Sequence, residues 1–323
     1  MLSVVADVGG TNTRLALARD GRVLTDTLRK RQNTRFADLA AVLRDYLAEL
    51  AASPQAAAIA IAGPVRHGVG RLTNLNWEMD SAGLRAATGA ERVMILNDLQ
   101  AHGHALGHLE TDMVDLITAG TGSEPGGARL VVGVGTGFNA AVAHDTPSGV
   151  QVAASECGHI TLPLCPPKHG ALGQALAQPD GFIGVEDALS GRGLERIYGF
   201  VGPGATMPAD QIMAALAAGA PQAQTTAGLF LDLLGRVVGD LALVHLPFGG
   251  IFLCGGVARA FGGLIAPNAP NFRPEFGQGF AAKGRFSDFM TAFPIHMITD
   301  DFAALLGCAA SLQAPNAPTS TRI

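Results

Sequence analysis

The first stretch of the chain decides the fold: residues 3–18 read SVVADVGGTNTRLALA. The apolar residues in 3–8 and 13–18 are typical of two strands, and the glycines and asparagine of 9–12 tolerate the positive φ that a tight hairpin needs. Residues 22–27 are a candidate third strand. The sequence therefore predicts an antiparallel meander at the start of the chain.

The same plan returns further along, where residues 131–143 read VVGVGTGFNAAVA. In both segments an apolar strand, a turn of small residues and a second apolar strand follow one another, and this faint repeat marks the start of a second domain. A duplicated fold with a cleft between its halves is the interpretation. Backbone N–H groups at a glycine turn approach an anion closely, so two such turns facing each other would clamp a polyphosphate. A glycine turn taken alone fits equally a connector without a ligand.

Length and composition bound the function classes. At roughly 150 residues per domain, 323 residues suggest two domains, and 48% hydrophobic with 15% charged residues indicates a globular protein. The 22 basic and 27 acidic residues give a net charge of -5, which is the wrong sign for a protein that neutralises nucleic-acid phosphates. None of the three lysines follows a Gly-x-x-x-x-Gly run, so a Walker-type phosphate loop is excluded.

Localisation is indicated by three features. The four cysteines contain no C-x-x-C pair, which argues against a disulfide framework or structural zinc and fits a reducing cytoplasm. The amino terminus has no basic segment and meets an acid at Asp7, unlike a signal peptide. Residues 241–258 are apolar but are interrupted by His245, Pro247 and two glycines, which predicts a helix end, a turn and a strand instead of a membrane span. We expect a cytoplasmic protein.

Elsewhere the hydrophobic pattern alternates between strand and helix periods. A helical period runs from Phe36 to Leu50, and 57–62 and 92–96 predict buried parallel strands with a helix over 81–87 between them and another after Asp98. In the second half we predict helices over 224–244 and 302–312, strands over 251–254 and 295–298, and a frayed end over 314–323.

Two polar residues, Asn97 and Asp98, end a near-continuous apolar strand just before a helix. This is the carboxyl end of a parallel strand, where α/β proteins place their ligands. As a general base, Asp98 would accept the proton of a substrate hydroxyl that attacks phosphorus. As a helix N-cap, it would need no ligand at all. Position alone leaves both interpretations open.

A second polar group comprises Glu156, His159 and Glu186. The Glu-x-x-His spacing does not favour a metal, because Gly158 disfavours the helix that would align the two side chains. Carboxylates with an adjacent imidazole are suited to hydrogen bonds with the vicinal hydroxyls of a sugar. Each residue also fits a plain structural role, with His159 in the core and Glu186 in the first turn of a helix.

The pair Gly255 and Gly256 follows the strand predicted over 251–254. Two glycines there let a flat ring such as adenine lie against the backbone. A simple helix start is the competing explanation.

Taken in order along the chain, these segments resemble the bacterial glucokinase family of the actin-like sugar kinase superfamily. The resemblance covers nearly the whole chain through the following segments: DVGGTN at 7–12, TNLNW at 73–77, ND at 97–98, GTG at 135–137, ECGH at 156–159, LSG at 189–191, GG at 255–256 and KGRF at 283–286. It implies a two-domain, duplicated ribonuclease H-like α/β fold with central mixed sheets and an interdomain cleft. The implied boundaries are a small domain over 1–108 and 299–314, a large domain over 109–298, and a flexible tail over 315–323.

The resemblance also implies a reaction, the ATP-dependent phosphorylation of glucose at its 6-hydroxyl at the start of glycolysis, with Mg²⁺. It makes Asp98 the catalytic base. The implied sugar-binding residues are Asn74, Asn97, Asp98, Glu156, His159 and Glu186. The implied ATP-binding residues are Ala6, Asp7, Val8, Gly9, Gly10, Thr11, Asn12, Gly135, Thr136, Gly137, Gly255 and Gly256, with Asp7 holding the metal through water. The partners are glucose and ATP, without nucleic acid or membrane, and a homodimer is compatible with this assignment.

Two positions depart from the family pattern. Cys157 stands where a second small residue, usually glycine, is familiar, and Asn139 stands where glycine is common after the Gly-Thr-Gly turn. Neither change removes a proposed hydrogen-bonding group, so they concern sugar affinity or preference more than reaction class. The alternatives are a kinase for another hexose or an amino sugar, and a sugar-binding regulator without turnover. An actin-like or chaperone ATPase would lack the sugar-contact set.

Overall fold

The computed structural model describes residues 1–72 and 75–313. The predicted sugar ligand Asn74 and the predicted tail over 314–323 lie outside the described residues. Internal contacts divide the chain into two compact units. The first comprises Met1–Glu110, Ala143–Ala154 and Asp300–Ile323, and the second comprises Thr111–Val142 and Ser155–Thr299.

The first unit is built on a sheet of order β3-β2-β1-β5-β9, with β4 pairing with β2. Its strands are β1 (Leu2–Val8), β2 (Asn12–Arg19), β3 (Arg22–Val23), β4 (Arg29–Gln32), β5 (Ala56–Ile61) and β9 (Arg92–Asn97). A separate three-stranded sheet contains β6 (Val65–Arg66), β7 (Val69–Arg71) and β8 (Glu78–Asp80). The helices are α1 (Leu39–Glu49), α2 (Ser81–Thr88), α3 (Asp98–Ala105) and α11 (Ala303–Ser311).

Alternating side chains of this sheet fill two separate cores. On β1, Val4 and Ala6 pack with residues of α1, whereas Val5 packs with residues of α3 and α11. Since β5 is buried along its entire length, the sheet is covered on both faces, as an apolar parallel strand requires. β1 is antiparallel to β2 and parallel to β5, which in turn is parallel to β9. The predicted meander and crossovers are confirmed.

The second sheet has the order β10-β15-β14-β11-β12-β13. Its strands are β10 (Val114–Thr118), β11 (Arg129–Val134), β12 (Phe138–Thr146), β13 (Gly149–Ala153), β14 (Ile251–Cys254) and β15 (Ile295–Ile298). The helices of the second unit are α4 (Pro166–Leu176), α5 (Val185–Ala188), α6 (Gly191–Val201), α7 (Ala209–Ala217), α8 (Pro221–His245), α9 (Gly256–Ile265) and α10 (Glu275–Ala281). Short 3₁₀ turns span Thr25–Thr27, Asn33–Arg35, Thr111–Met113, Cys157–His159, Gly284–Phe286 and Phe289–Ala292.

The long helix α8 ends where the sequence predicts. It stops at His245, Leu246 turns the chain with a φ of 47°, and β14 begins at Ile251. Residues 241–258 therefore form a helix end, a turn and a strand, as predicted, followed by the start of α9. No helix in the described part of the chain is both long enough and apolar enough to cross a membrane.

Two boundaries in the first unit differ from the prediction. The third strand is only Arg22–Val23, and a 3₁₀ turn occupies Thr25–Thr27. The helix predicted from Phe36 begins at Leu39, because the Asp38 carboxylate caps it by accepting from the Ala41 N–H at 2.7 Å. A capped end satisfies a backbone donor that the helix itself leaves unpaired, so the cap outweighs the continued apolar period.

Candidate active site

The first glycine turn joins β1 to β2. Val8 pairs with Thr13, and the Gly9 N–H donates to the Asn12 carbonyl at 3.0 Å. The prediction of positive φ is wrong, because none of residues 9–12 is among those with positive φ. Nor does crowding demand a glycine at 9, where a Cβ would be 3.4 Å from the Asn12 carbonyl, an ordinary contact. What the missing side chains provide is open access to the backbone of the turn.

Asn33, a residue that the sequence did not indicate, holds this turn in place through hydrogen bonds. Asn33 is 1% exposed, and its Nδ2 donates to the Gly9 carbonyl at 2.7 Å. Its Oδ1 accepts from the Thr13 hydroxyl at 2.8 Å, and its backbone N–H donates to the Thr11 carbonyl at 2.9 Å. Three bonds from one buried asparagine fix both ends and the middle of the turn.

Asp7 lies at the end of β1, directly opposite Arg14 on β2. The Arg14 Nη1 is 3.2 Å from the Asp7 Oδ2, and the Asp7 side chain is 15% exposed. Behind it, burial raises the pKa of the Cys308 thiol, and the negative charge of Asp7 adds to that rise. Asp7 is thus a partly exposed carboxylate beside the glycine turn, with one oxygen engaged by arginine.

Asn97 and Asp98, the polar pair at the end of β9, hold different positions at the start of α3. Asn97 caps α3, where its Oδ1 accepts from the Leu99 N–H at 2.9 Å and its Nδ2 donates to the Gly63 carbonyl at 3.2 Å. Asp98 is the first helical residue, is half-buried, and accepts from the same Leu99 N–H at 2.9 Å. The interpretation of Asp98 as the N-cap is therefore wrong, since Asn97 holds that position.

Sheet register places the two groups at one edge. Val8 on β1 pairs with Ile61 on β5, which pairs with Asn97 on β9. Because neighbouring strands lie about 4.8 Å apart, the glycine turn and Asp98 are separated by two spacings, roughly 10 Å, along the carboxyl edge of parallel strands. The site residues predicted at 6–12 and 97–98 therefore share one edge of the first sheet.

The second glycine turn follows β11. The Gly135 N–H donates to the Gly137 carbonyl, and the Gly135 carbonyl accepts from the Gly191 N–H at the start of α6, both at 2.9 Å. A Cβ on Gly135 would lie 3.9 Å from the Gly256 nitrogen. Glycines from three separate segments thus meet at the carboxyl ends of the parallel pair β11 and β14.

Gly255 has a structural task of its own. It is the N-cap of α9 with a φ of +95°, and a Cβ there would overlap the Val134 backbone. The simpler explanation, a helix start, therefore holds for Gly255. Gly256 has no such constraint, since a Cβ there would meet nothing within 4 Å.

Glu186 on α5 touches the second turn directly. Its Oε2 accepts from the Phe138 N–H at 3.0 Å, and a Cβ on Gly137 would overlap that same oxygen. Arg192 lies 3.5 Å from the other oxygen, and the Glu186 side chain is 28% exposed. Gly137 is therefore the residue that makes room for the Glu186 carboxylate.

Glu156 and His159 belong to the same group of charges. Burial raises the pKa of Glu156, the neighbouring His159 opposes that rise, and the negative charge of Glu186 adds to it. The 3₁₀ turn Cys157–His159 connects Glu156 to His159, and Gly158 in it approaches the Phe138 carbonyl too closely for a side chain. The structure thus brings together the three polar residues predicted at 156, 159 and 186. Among the described residues, no cluster of three His, Cys, Asp or Glu side chains could hold a metal ion.

The sequence matches that of known proteins over nearly its whole length. A model of the glucokinase family matches residues 4–315. Glucokinase of Hahella chejuensis is 31% identical over 322 residues, covering 96% of this chain and 97% of that protein. Glucokinase of Mesorhizobium japonicum is 32% identical over 321 residues, covering 97% and 92%.

Solved structures give the same result. A glucokinase from an Antarctic psychrotroph superimposes with a TM-score of 0.82 at 28% identity, covering 96% of this chain and 98% of that one. A Balamuthia mandrillaris glucokinase in complex with glucose has a TM-score of 0.77 at 22% identity, covering 97% and 93%. This likeness confirms the predicted α/β fold class.

Proposed function

This chain belongs to the glucokinase family, with its actin-like fold, and on that premise we propose that it transfers the γ-phosphoryl group of ATP to the 6-hydroxyl of D-glucose. The products are glucose 6-phosphate and ADP. As a sugar kinase it needs three things from its residues: a grip on phosphates, a base for the hydroxyl proton, and hydrogen bonds that select the sugar.

Residues of the first glycine turn bind ATP phosphates through backbone N–H groups in this proposal. The support is the access that Gly9, Gly10 and Thr11 leave, together with the brace from Asn33 that holds the turn in one conformation. A preformed cradle loses little freedom when the ligand binds. In the second unit, Gly135, Thr136, Gly137 and Gly256 supply further backbone contacts to the nucleotide.

Asp98 is the general base. The observation that carries this assignment is the place of Asp98: it is the half-buried first residue of α3, directly after the end of the parallel strand β9. In the reaction, Asp98 accepts the proton of the 6-hydroxyl while the hydroxyl oxygen forms its bond to the γ-phosphorus and the bond to the ADP oxygen breaks.

Glu156, His159 and Glu186 bind the other sugar hydroxyls. Two carboxylates and an imidazole offer acceptors and a donor for vicinal hydroxyls. Asn97 adds the second hydrogen of its amide and the second acceptor position of its Oδ1, since Gly63 and Leu99 take only one of each. A wrong epimer would leave one of these groups unpaired, at a cost of about 1–3 kcal/mol each.

In this proposal ATP binds with Mg²⁺, which would neutralise charge on the phosphates. Magnesium in proteins keeps several waters and takes one or two carboxylates plus substrate phosphates. Asp7 fits that role, because it is partly exposed at the end of β1 beside the glycine turn. We also place the protein in a reducing compartment, the cytoplasm, since none of its four cysteines, all within the described residues, forms a disulfide. A homodimer stays a prediction.

A panel of hexoses assayed with ATP tests this function. We expect ADP release to be fastest with glucose, with glucose 6-phosphate identified by NMR, and almost no ADP without a hexose. Faster turnover of an amino sugar or another hexose would move the assignment to that sugar. Sugar binding by calorimetry without ADP release would indicate a regulator, and ATP hydrolysis without sugar would indicate an ATPase.

A further inference from the structure

The two positions that depart from the family pattern, Asn139 and Cys157, contact each other. Asn139 lies on β12, and its Oδ1 accepts from the Cys157 N–H at 3.1 Å. The Cys157 sulfur is 3.5 Å from the same oxygen. On the other side, the Asn139 Nδ2 donates to the Ser155 carbonyl at 2.7 Å. One amide side chain therefore holds the residue before Glu156 and the residue after it.

The other polar groups around Asn139 have hydrogen-bond partners of their own, and these bonds leave the contact between Asn139 and Cys157 intact. The Ser155 hydroxyl is 3.1 Å from the Asn139 Oδ1 and 2.7 Å from the Ala140 carbonyl. A hydroxyl has one hydrogen, and the shorter contact to Ala140 takes it. The two acceptor positions of the Asn139 Oδ1 are then left for the N–H groups of Ala140, at 2.8 Å, and of Cys157.

The contact between Asn139 and the Cys157 N–H takes the place of a side-chain cap on the turn that follows Glu156. The 3₁₀ turn Cys157–His159 begins after Glu156, which stands at its N-cap position, yet the turn has no side-chain cap from Glu156. A carboxylate at that position commonly accepts from the first N–H groups of its own turn. Here Asn139 satisfies the Cys157 N–H, so the Glu156 carboxylate is not committed to the backbone behind it.

We propose that Asn139 is a positioning residue for sugar binding: it caps the turn that carries Glu156 and His159, and so keeps the Glu156 carboxylate directed at the substrate. This inference rests on the proposed function, because it gives Glu156 the sugar as its ligand. Cys157 contributes mainly its backbone N–H. Cys157 is 7% exposed, and burial raises the pKa of its thiol, so the thiol stays protonated.

Steady-state kinetics of Asn139→Ala test the proposal. We expect the KM for glucose to rise about tenfold, the worth of a lost hydrogen bond that orients a charged side chain, while the KM for ATP and kcat stay within about twofold. Thr226→Val is the matched control, since it too removes a side-chain hydrogen bond in the second unit, here from the Thr226 hydroxyl to the Gln222 carbonyl at 2.8 Å. It should leave both KM values unchanged. Cys157→Ala, which keeps the N–H, should also behave as wild type.

A double-mutant cycle distinguishes an effect of Asn139 through Glu156 from a general loss of order around the site. If Asn139 acts through Glu156, then adding Asn139→Ala to Glu156→Gln should raise the KM for glucose by no more than about twofold beyond Glu156→Gln alone. Full additivity would overturn the proposal, as would an Asn139→Ala enzyme whose KM for glucose is unchanged or whose KM for ATP rises equally. Should Asn139→Ala fail to fold, the isosteric Asn139→Asp breaks the bond to Ser155 and is expected to raise the KM for glucose, with the same outcomes overturning it. Wild-type turnover tests the proposed function separately.

Discussion

The carboxyl edges of the two sheets carry different chemistry. In the first unit, β1 and β9 end beside carboxylates, Asp7 and Asp98. In the second unit, the corresponding ends of β11 and β14 carry only the glycines Gly135 and Gly255. There the acids, Glu156 and Glu186, come from later segments of the chain. Both units therefore share the backbone plan of strand, turn and strand, but their charged side chains lie at different positions in that plan.

The difference indicates a division of labour. In the proposed function, the carboxylates at the first edge serve proton transfer and the metal, whereas the glycines of the second unit contact the nucleotide and its acids bind sugar hydroxyls. One device is shared: Asn97 caps α3 beside Asp98, and Asn139 caps the turn beside Glu156. In both units an asparagine takes a capping role next to a carboxylate to which the proposed function gives a ligand.

The largest effect should come from the first edge. Replacing Asp98 by Ala should lower kcat by roughly 10²- to 10⁴-fold, because a general base contributes that much, and should weaken sugar binding far less. Since Asn97 keeps the cap, the loss of stability should be only about 0.3–1 kcal/mol, the worth of one acid near a helix N-terminus. A coupled ADP assay measures the fall in kcat, and urea denaturation measures the loss of stability. Near-normal turnover would show that another group is the base.

Removing a polar group of the second unit that we assign to the sugar should instead change affinity. Glu186→Gln or His159→Ala should raise the KM for glucose by about 10- to 100-fold, the equivalent of a lost hydrogen bond to a charged group, with a smaller change in kcat. Gly137→Ala should act in the same direction without removing the carboxylate, because its Cβ would displace the Glu186 Oε2. An unchanged KM in both single variants at 159 and 186 would remove these residues from the sugar site.

Sequence patterns located the strands that carry the site better than the elements that support it. The buried run at Ala56–Ile61 and the polar end of β9 are visible as local patterns, and both are confirmed. The edge strand Arg29–Gln32 was missed because its sequence RKRQ has no apolar residue. The start of α1 had a signal, Asp38 before the first periodic leucine, that the apolar Phe36 outweighed.

The supporting contacts of the site had no local signal at all. Asn33 reaches Gly9, 24 residues away, and nothing in the sequence around Asn33 predicts that pairing. Asn139 was noticed only as an unusual residue, and its role as a cap depends on a partner 18 residues further along. Long-range hydrogen bonds of single side chains are set by the fold, so they become visible only when the strands are placed.

Replacing Asn33, which holds the first glycine turn through hydrogen bonds, should have an effect of intermediate size. Asn33→Ala leaves the buried Thr13 hydroxyl and the Gly9 carbonyl without their partner, which should cost about 1–3 kcal/mol of stability. We expect the KM for ATP to rise about tenfold and the KM for glucose to change little, because in the proposed function this turn binds the ATP phosphates. Tyr46→Phe is the control, since it removes another buried bond in the same unit, from the Tyr46 hydroxyl to the Thr27 carbonyl at 2.9 Å. Equal changes in the KM for ATP in the two variants would reduce Asn33 to a structural residue.

The smallest effect is a pH dependence confined to the second unit. Burial and the charge of Glu186 raise the pKa of Glu156 above its ordinary value of 4.5, against the opposing effect of His159. As the pH falls through that raised pKa, Glu156 gains a proton and loses its charge, so the KM for glucose should rise by a few-fold, beginning at a higher pH than an ordinary glutamate would cause. Glu156→Gln cannot titrate at this position, so its KM for glucose should already be raised and should vary less over the same pH range. If the variant and the wild type share one pH profile, the titrating group is not Glu156, and the acids of the second unit do not select the sugar through their charge.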